Sequence, residues 1–110
     1  MATHFKEALN SGKFVITSEI GPPKGTNLDN MWHHIELLKD RVDAINTTDH
    51  QSSVMRFPSL GGCLAVIERG GEPILQMTCR DRNRIALQAD LLLAYTRGIR
   101  NERQRSYNLP

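Results

Sequence analysis

Two spacings of apolar residues alternate along the chain. Residues 13–20 hold Phe14, Val15, Ile16 and Ile20 in a β-branched run closed by Gly21-Pro22-Pro23, which continues neither a ladder nor a helix, so a strand is predicted there. Leu28, Met31, Trp32, Ile35 and Leu38 then recur at helical spacing, with Asn27 or Asp29 as candidate cap, and predict a helix to about Asp40. The same succession returns twice. Residues 42–48 predict a second strand, and Leu60, Cys63, Leu64 and Ile67 a second helix stopped by Gly70-Gly71. Residues 73–78 predict a third strand, and residues 85–96 a third helix stopped by Gly98. Ahead of all three, Thr3 as cap and Gly12 as stop bracket a short amphipathic helix carrying Phe5, Ala8 and Leu9.

The predicted strands start at Lys13, Val42 and Pro73, about thirty residues apart, the length of one strand–helix unit with a right-handed crossover. Such units in succession predict a parallel sheet, in a barrel or a doubly wound arrangement. With 110 residues the chain is well short of the roughly 250 of a complete (β/α)8 barrel. A fourth strand is due after Asn101, yet residues 102–110 show neither alternation nor an apolar run. The fold expected is therefore α/β, the N-terminal three βα units of a (β/α)8 TIM barrel in truncated form. Residues 1–101 make the partial barrel domain, and residues 102–110 a disordered or frame-shifted polar tail.

Composition removes classes of function without choosing one. Hydrophobic residues make up 39% and charged residues 24%, the balance of a soluble globular protein. A net charge of +2 with interspersed signs is too small for a nucleic-acid footprint, and no apolar run suits a membrane span or a cleaved leader. Cys63 and Cys79 lack zinc-ligand spacing and suggest no disulfide framework, so reduced thiols, no metal and a cytoplasmic setting are expected.

In barrels, chemistry gathers at the C-terminal ends of the strands. Three groups of polar residues fall there: Glu19; Asn46, Thr47, Thr48 and Asp49; and Gln76, Thr78, Cys79, Arg80 and Asp81. Glu19 lies between Ile16 and Ile20. Pointing into a barrel mouth it would be partly desolvated, its pKa raised toward that of a general acid; an exposed strand-end carboxylate is the equal alternative. Thr48-Asp49 suits either a cofactor contact or a chain turn, and the turn is the better reading of the residues alone. Cys79 has no neighbouring His and reads as a bystander thiol. His33 and His34 share no helix face, and Arg80, Arg82 and Arg84 read as a solvated helix entrance before a phosphate site.

Together these segments resemble the methylenetetrahydrofolate reductase family. The matching stretches are Phe14-Val-Ile-Thr-Ser-Glu-Ile-Gly-Pro-Pro-Lys24, Val42-Asp-Ala-Ile-Asn-Thr-Thr-Asp49, Leu75-Gln-Met-Thr-Cys-Arg-Asp-Arg-Asn83 and Gly98-Ile-Arg-Asn101, in the family's order and spacing. The resemblance favours the short bacterial or archaeal type. It implies a flavin-bearing (β/α)8 barrel in which FAD takes hydride from NAD(P)H and 5,10-methylenetetrahydrofolate is reduced to 5-methyltetrahydrofolate, in a homo-oligomeric parent protein.

By position, the resemblance makes Glu19 the general acid that protonates the folate's bridging nitrogen. It sets Thr48 and Asp49 near the flavin, with Thr78 and Cys79 at the strand end that packs against it. Gln76 falls where many members carry His, so an amide stands in place of an imidazole. Members continue past Gly-Ile-Arg-Asn with a hydrophobic strand ending in Gly-Asp, for which this chain has no counterpart. The parent is thus expected to be a reductase and the isolated chain to be inactive. The alternative is a non-catalytic binding or assembly module built from three βα units.

Overall fold

The computed structural model describes residues 4–105, with side chains through residue 103; Thr3, read as a cap, and residues 106–110 lie outside them. Helix α1 (His4–Asn10) precedes strand β1 (Thr17–Ile20), helix α2 (Asp29–Leu38), strand β2 (Ala44–Thr47) and a 3-10 turn at Gln51–Ser53. Helix α3 (Ser59–Glu68), strand β3 (Pro73–Thr78), helix α4 (Arg84–Thr96) and strand β4 (Glu102–Arg105) complete the described chain. The strands form one parallel sheet in the order β1-β2-β3-β4. Sequential parallel strands joined by helices are the repeating unit of the (β/α)8 barrel, and the chain has the architecture of part of one.

Period-two alternation divides each strand between two environments. Ile20, Ile45 and Val66 pack with Met31 and Ile35 in one apolar cluster, while Leu75 and Met77 join Cys63, Ala94 and Ile99 in a second. Helix α3 contributes to both and so joins them. The opposite sheet face carries Thr17 and Glu19 of β1, Ala44 and Asn46 of β2, Ile74, Gln76 and Thr78 of β3 and Arg103 of β4, polar at all but Ala44 and Ile74. Gly70 and Gly98 take φ of +86° and +90° just past α3 and α4, a left-handed conformation that ends a helix at no steric cost to glycine.

Two expectations are corrected. The first concerns strand starts: β1 begins at Thr17 and β2 at Ala44, later than Lys13 and Val42. The cause is Asp43, whose carboxylate accepts the Ile16 N–H at 3.0 Å, taking a donor that would otherwise be free for a longer ladder. The second concerns residues 102–110, read as lacking a strand. Glu102–Arg105 form β4, in register with Leu75 to Thr78 of β3. The Leu75 N–H donates to Asn101 O at 3.0 Å, so the β3 edge recruits the polar segment through main-chain groups, which need no apolar side chains.

Asp43 also fastens α1 beneath the sheet. It accepts from Lys13 Nζ at 2.8 Å and lies 3.0 Å from His4 Nε2. The Lys13 bond, then the Ile16 N–H, lower its pKa from 3.8 to about 2. A carboxyl depressed in the folded state adds stability that is full above its unfolded pKa and is lost as pH falls through the folded one. Between pH 4 and pH 2, roughly, α1 is expected to loosen, seen as faster amide exchange at Ala8, and Asp43→Asn should abolish that pH dependence.

Candidate functional site

The C-terminal ends of the strands converge on a small cleft of about 90 Å³ lined by Glu19, Thr48, Asp49, Gln51, Gln76, Thr78 and Arg103. A larger hollow of about 800 Å³ lies at the other end of the sheet, among Lys13, Asp43, Gly71 and Pro73. The smaller cleft is the candidate site, because it sits where βα loops present polar side chains, and in barrels the opposite end serves stability.

Each lining residue is set by its strand. Glu19 pairs in register with Asn46, whose amide Nδ2 donates to Ser18 O at 3.3 Å and whose Oδ1 accepts from Gln76 Nε2 at 3.3 Å. This ladder of amides crosses β1, β2 and β3 beneath the cleft. Gln76 is buried, and its main-chain oxygen accepts from Ser59 Oγ at 2.7 Å, which fixes β3 to the start of α3. Thr48 is buried too, with its N–H on Ile20 O at 3.2 Å.

Asp49 is committed to structure. Its side chain is 1% exposed, and Oδ2 accepts from the Thr78 N–H at 2.8 Å and from Thr78 Oγ1 at 3.2 Å. Arg82 closes on both carboxylate oxygens, with Nη2 to Oδ1 at 2.9 Å and Nη1 on Oδ2. Burial raises the Asp49 pKa, but the Arg82 fork and the Thr78 N–H outweigh it and hold the carboxyl below its usual range. Arg82 is therefore no part of a solvated helix entrance but the partner of a buried carboxylate, with its side chain 10% exposed. The signal for it was positional: an acid just past one strand and a base just past its parallel neighbour.

Glu19 is exposed, the strand-end setting of the two alternatives that the sequence left open. Alternation explains this. Ile20 faces the helices while Glu19 faces the other side of the sheet, so the apolar neighbour in sequence does not cover the carboxylate. Arg103, which the sequence reading passed over, brings a cation to the cleft from β4.

Cys79 is half-buried and does not line the cleft; Cys63 is fully buried, with Sγ 2.9 Å from Thr47 Oγ1. Burial pushes the Cys63 thiol up to about 12, against a smaller opposing effect of the Thr47 hydroxyl, so it is a core side chain and no nucleophile. No helix of the described residues is long and apolar enough to cross a membrane.

The family model for methylenetetrahydrofolate reductase matches residues 4–102, from α1 to the first residue of β4. A comparison with curated proteins finds no match.

Proposed function

The chain belongs to the methylenetetrahydrofolate reductase family, and from that premise we propose that its rim serves the FAD-dependent reduction of 5,10-methylenetetrahydrofolate by NAD(P)H. The observation that carries this reading is the meeting of Glu19 of β1, Thr48 just past β2, and Gln76 and Thr78 of β3 around one cleft at the C-terminal end of the sheet. An assembly module has no need to gather these groups on that rim.

The lining of the cleft fits the polar edge of a flat heterocycle such as the flavin ring, the rest of which would lie over the open sheet face. The cleft offers hydroxyls from Thr48 and Thr78 and an amide from Gln76, all held by main-chain or side-chain bonds, beside a sheet face that stays open. Thr48, Gln76 and Thr78 would hold the ring's polar edge, Asp49 would act by holding Thr78, and Cys79 would lie behind the strand end. Bound there, FAD supplies the hydride store between nicotinamide and folate.

Glu19 stands at the same cleft with its carboxyl exposed, reachable by a second ligand laid over the first. Its role is to give a proton to the bridging nitrogen of the folate. The bond from that nitrogen to the methylene carbon then breaks, the five-membered ring opens to an iminium, and hydride added to the iminium carbon completes the methyl group. Water restores the proton to Glu19. Both cysteines are free thiols, which suits a cytoplasmic protein, and a homo-oligomeric state accompanies this reading.

Titration of the chain with FAD, followed by backbone amide shifts, tests the proposal. Saturable shifts at Thr48, Gln76 and Thr78 are expected, and shifts absent from these three would remove the cofactor assignment. Turnover by the 110-residue chain alone is expected to be undetectable, since four strands shield one side of a ring and leave the other in water. NAD(P)H oxidation with FAD and a quinone, proportional to chain concentration, would contradict that expectation.

A further inference from the structure

The strand ends are tied to one another in an unbroken series. Thr48 bonds Ile20 O and so joins β2 to β1; Asp49, the next residue, takes the N–H and hydroxyl of Thr78 and joins β2 to β3. Arg82 grips Asp49 with two nitrogens, reaches Thr78 O at 3.3 Å and lies 3.5 Å from Asp90 on α4. Thr48, Asp49 and Thr78 lie at or just past the ends of their strands. Arg82 comes from the β3–α4 loop and does not line the cleft, whereas Asp49 does.

We propose that Arg82 is a positioning residue, which acts through Asp49 to fix the separation of Thr48 and Thr78 and to neutralise the one buried carboxylate of the cleft. This role rests on the FAD reading above. Two consequences follow from the geometry. Asp49 has both oxygens engaged and its side chain is 1% exposed, so its charge is met from within the protein, and the exposed charges lining the cleft are Glu19 and Arg103. The fork also matters beyond its charge: a guanidinium spans two carboxylate oxygens in one plane, while an ammonium is a point charge that holds one.

Arg82→Lys therefore separates charge from geometry, and hydrogen exchange in the full chain reads the result. The Thr78 amide, bonded to Asp49, is expected to exchange at least about 10-fold faster in the variant, while the Leu75 amide, bonded to Asn101 O in the same strand, is unchanged. FAD affinity, measured by the same amide titration, is expected to fall about 10-fold, the scale on which outer partners of a binding site act. Equal acceleration at Leu75 and Thr78, or none at Thr78, would overturn the positioning role. So would unchanged FAD affinity in a variant whose Thr78 amide has loosened. If the unaltered chain binds no FAD, the functional reading falls and the positioning role with it; if only the variant comparison fails, the positioning role falls alone.

Discussion

Arg82→Met is expected to lower the unfolding free energy by about 3–5 kcal/mol, because it leaves the Asp49 carboxylate, 1% exposed, with the Thr78 donors and His50 Nε2 at 3.8 Å but without its close cation. An exposed pair would cost about 0–1 kcal/mol, so the magnitude alone tells a buried clasp from surface decoration. Domains of this size are stable by only about 5–15 kcal/mol, and the loss should show as a large fall in the urea midpoint. A second substitution makes the cause visible. Asp49→Asn in the Arg82→Met background removes the unpaired charge yet keeps an oxygen for the Thr78 N–H, and should recover part of the loss. If the double variant is no more stable than Arg82→Met, the unpaired charge is not what the first substitution exposes.

Glu19→Gln, in a complete barrel that carries this rim, is expected to slow methylenetetrahydrofolate reduction by about 10²–10⁴-fold, the usual worth of a positioned general acid. Glutamine keeps the shape and hydrogen-bonding reach but has no proton to give to the bridging nitrogen. The two halves of the reaction should respond differently. Reduced-nicotinamide oxidation with a quinone acceptor needs no protonated folate and should stay near its original rate, whereas folate reduction should be nearly lost. Equal loss in both halves would point to damage to the flavin site and away from acid catalysis.

Much of the fold could be read from residue spacing, and the exceptions share physical causes. The β3 bounds, Pro73–Thr78, match the expected ones because a proline start and an apolar run define a central strand from within. The strand Glu102–Arg105 was illegible because its place depends on the neighbouring edge and not on its own side chains. The candidate site divides in the same way. Strand-end positions named Glu19, Thr48, Asp49, Gln76 and Thr78, and these do line one cleft, while Cys79 does not. Arg82 escaped because the Asp49 contact joins residues far apart in sequence, and an arginine before a helix looks solvated until a buried acid is seen beside it. For Glu19 the sequence left a desolvated and an exposed carboxylate equally open, and the exposed setting follows from alternation, which turns it away from Ile20.

Each of β2, β3 and β4 pairs with the strand that precedes it in the chain, and α3 packs into both apolar clusters. The polypeptide can therefore fold in the order in which a ribosome delivers it. The β1-α2-β2-α3 portion closes its core on residues up to Val66, and the later β3-α4 portion then docks on a surface already made. Among the described residues α1 is the exception, since His4 waits for Asp43 and the Phe5 N–H for Glu72, while the strand pairings themselves form between successive units. The same arrangement leaves one edge of β4 with its main-chain groups turned away from β3, without a strand partner among the described residues.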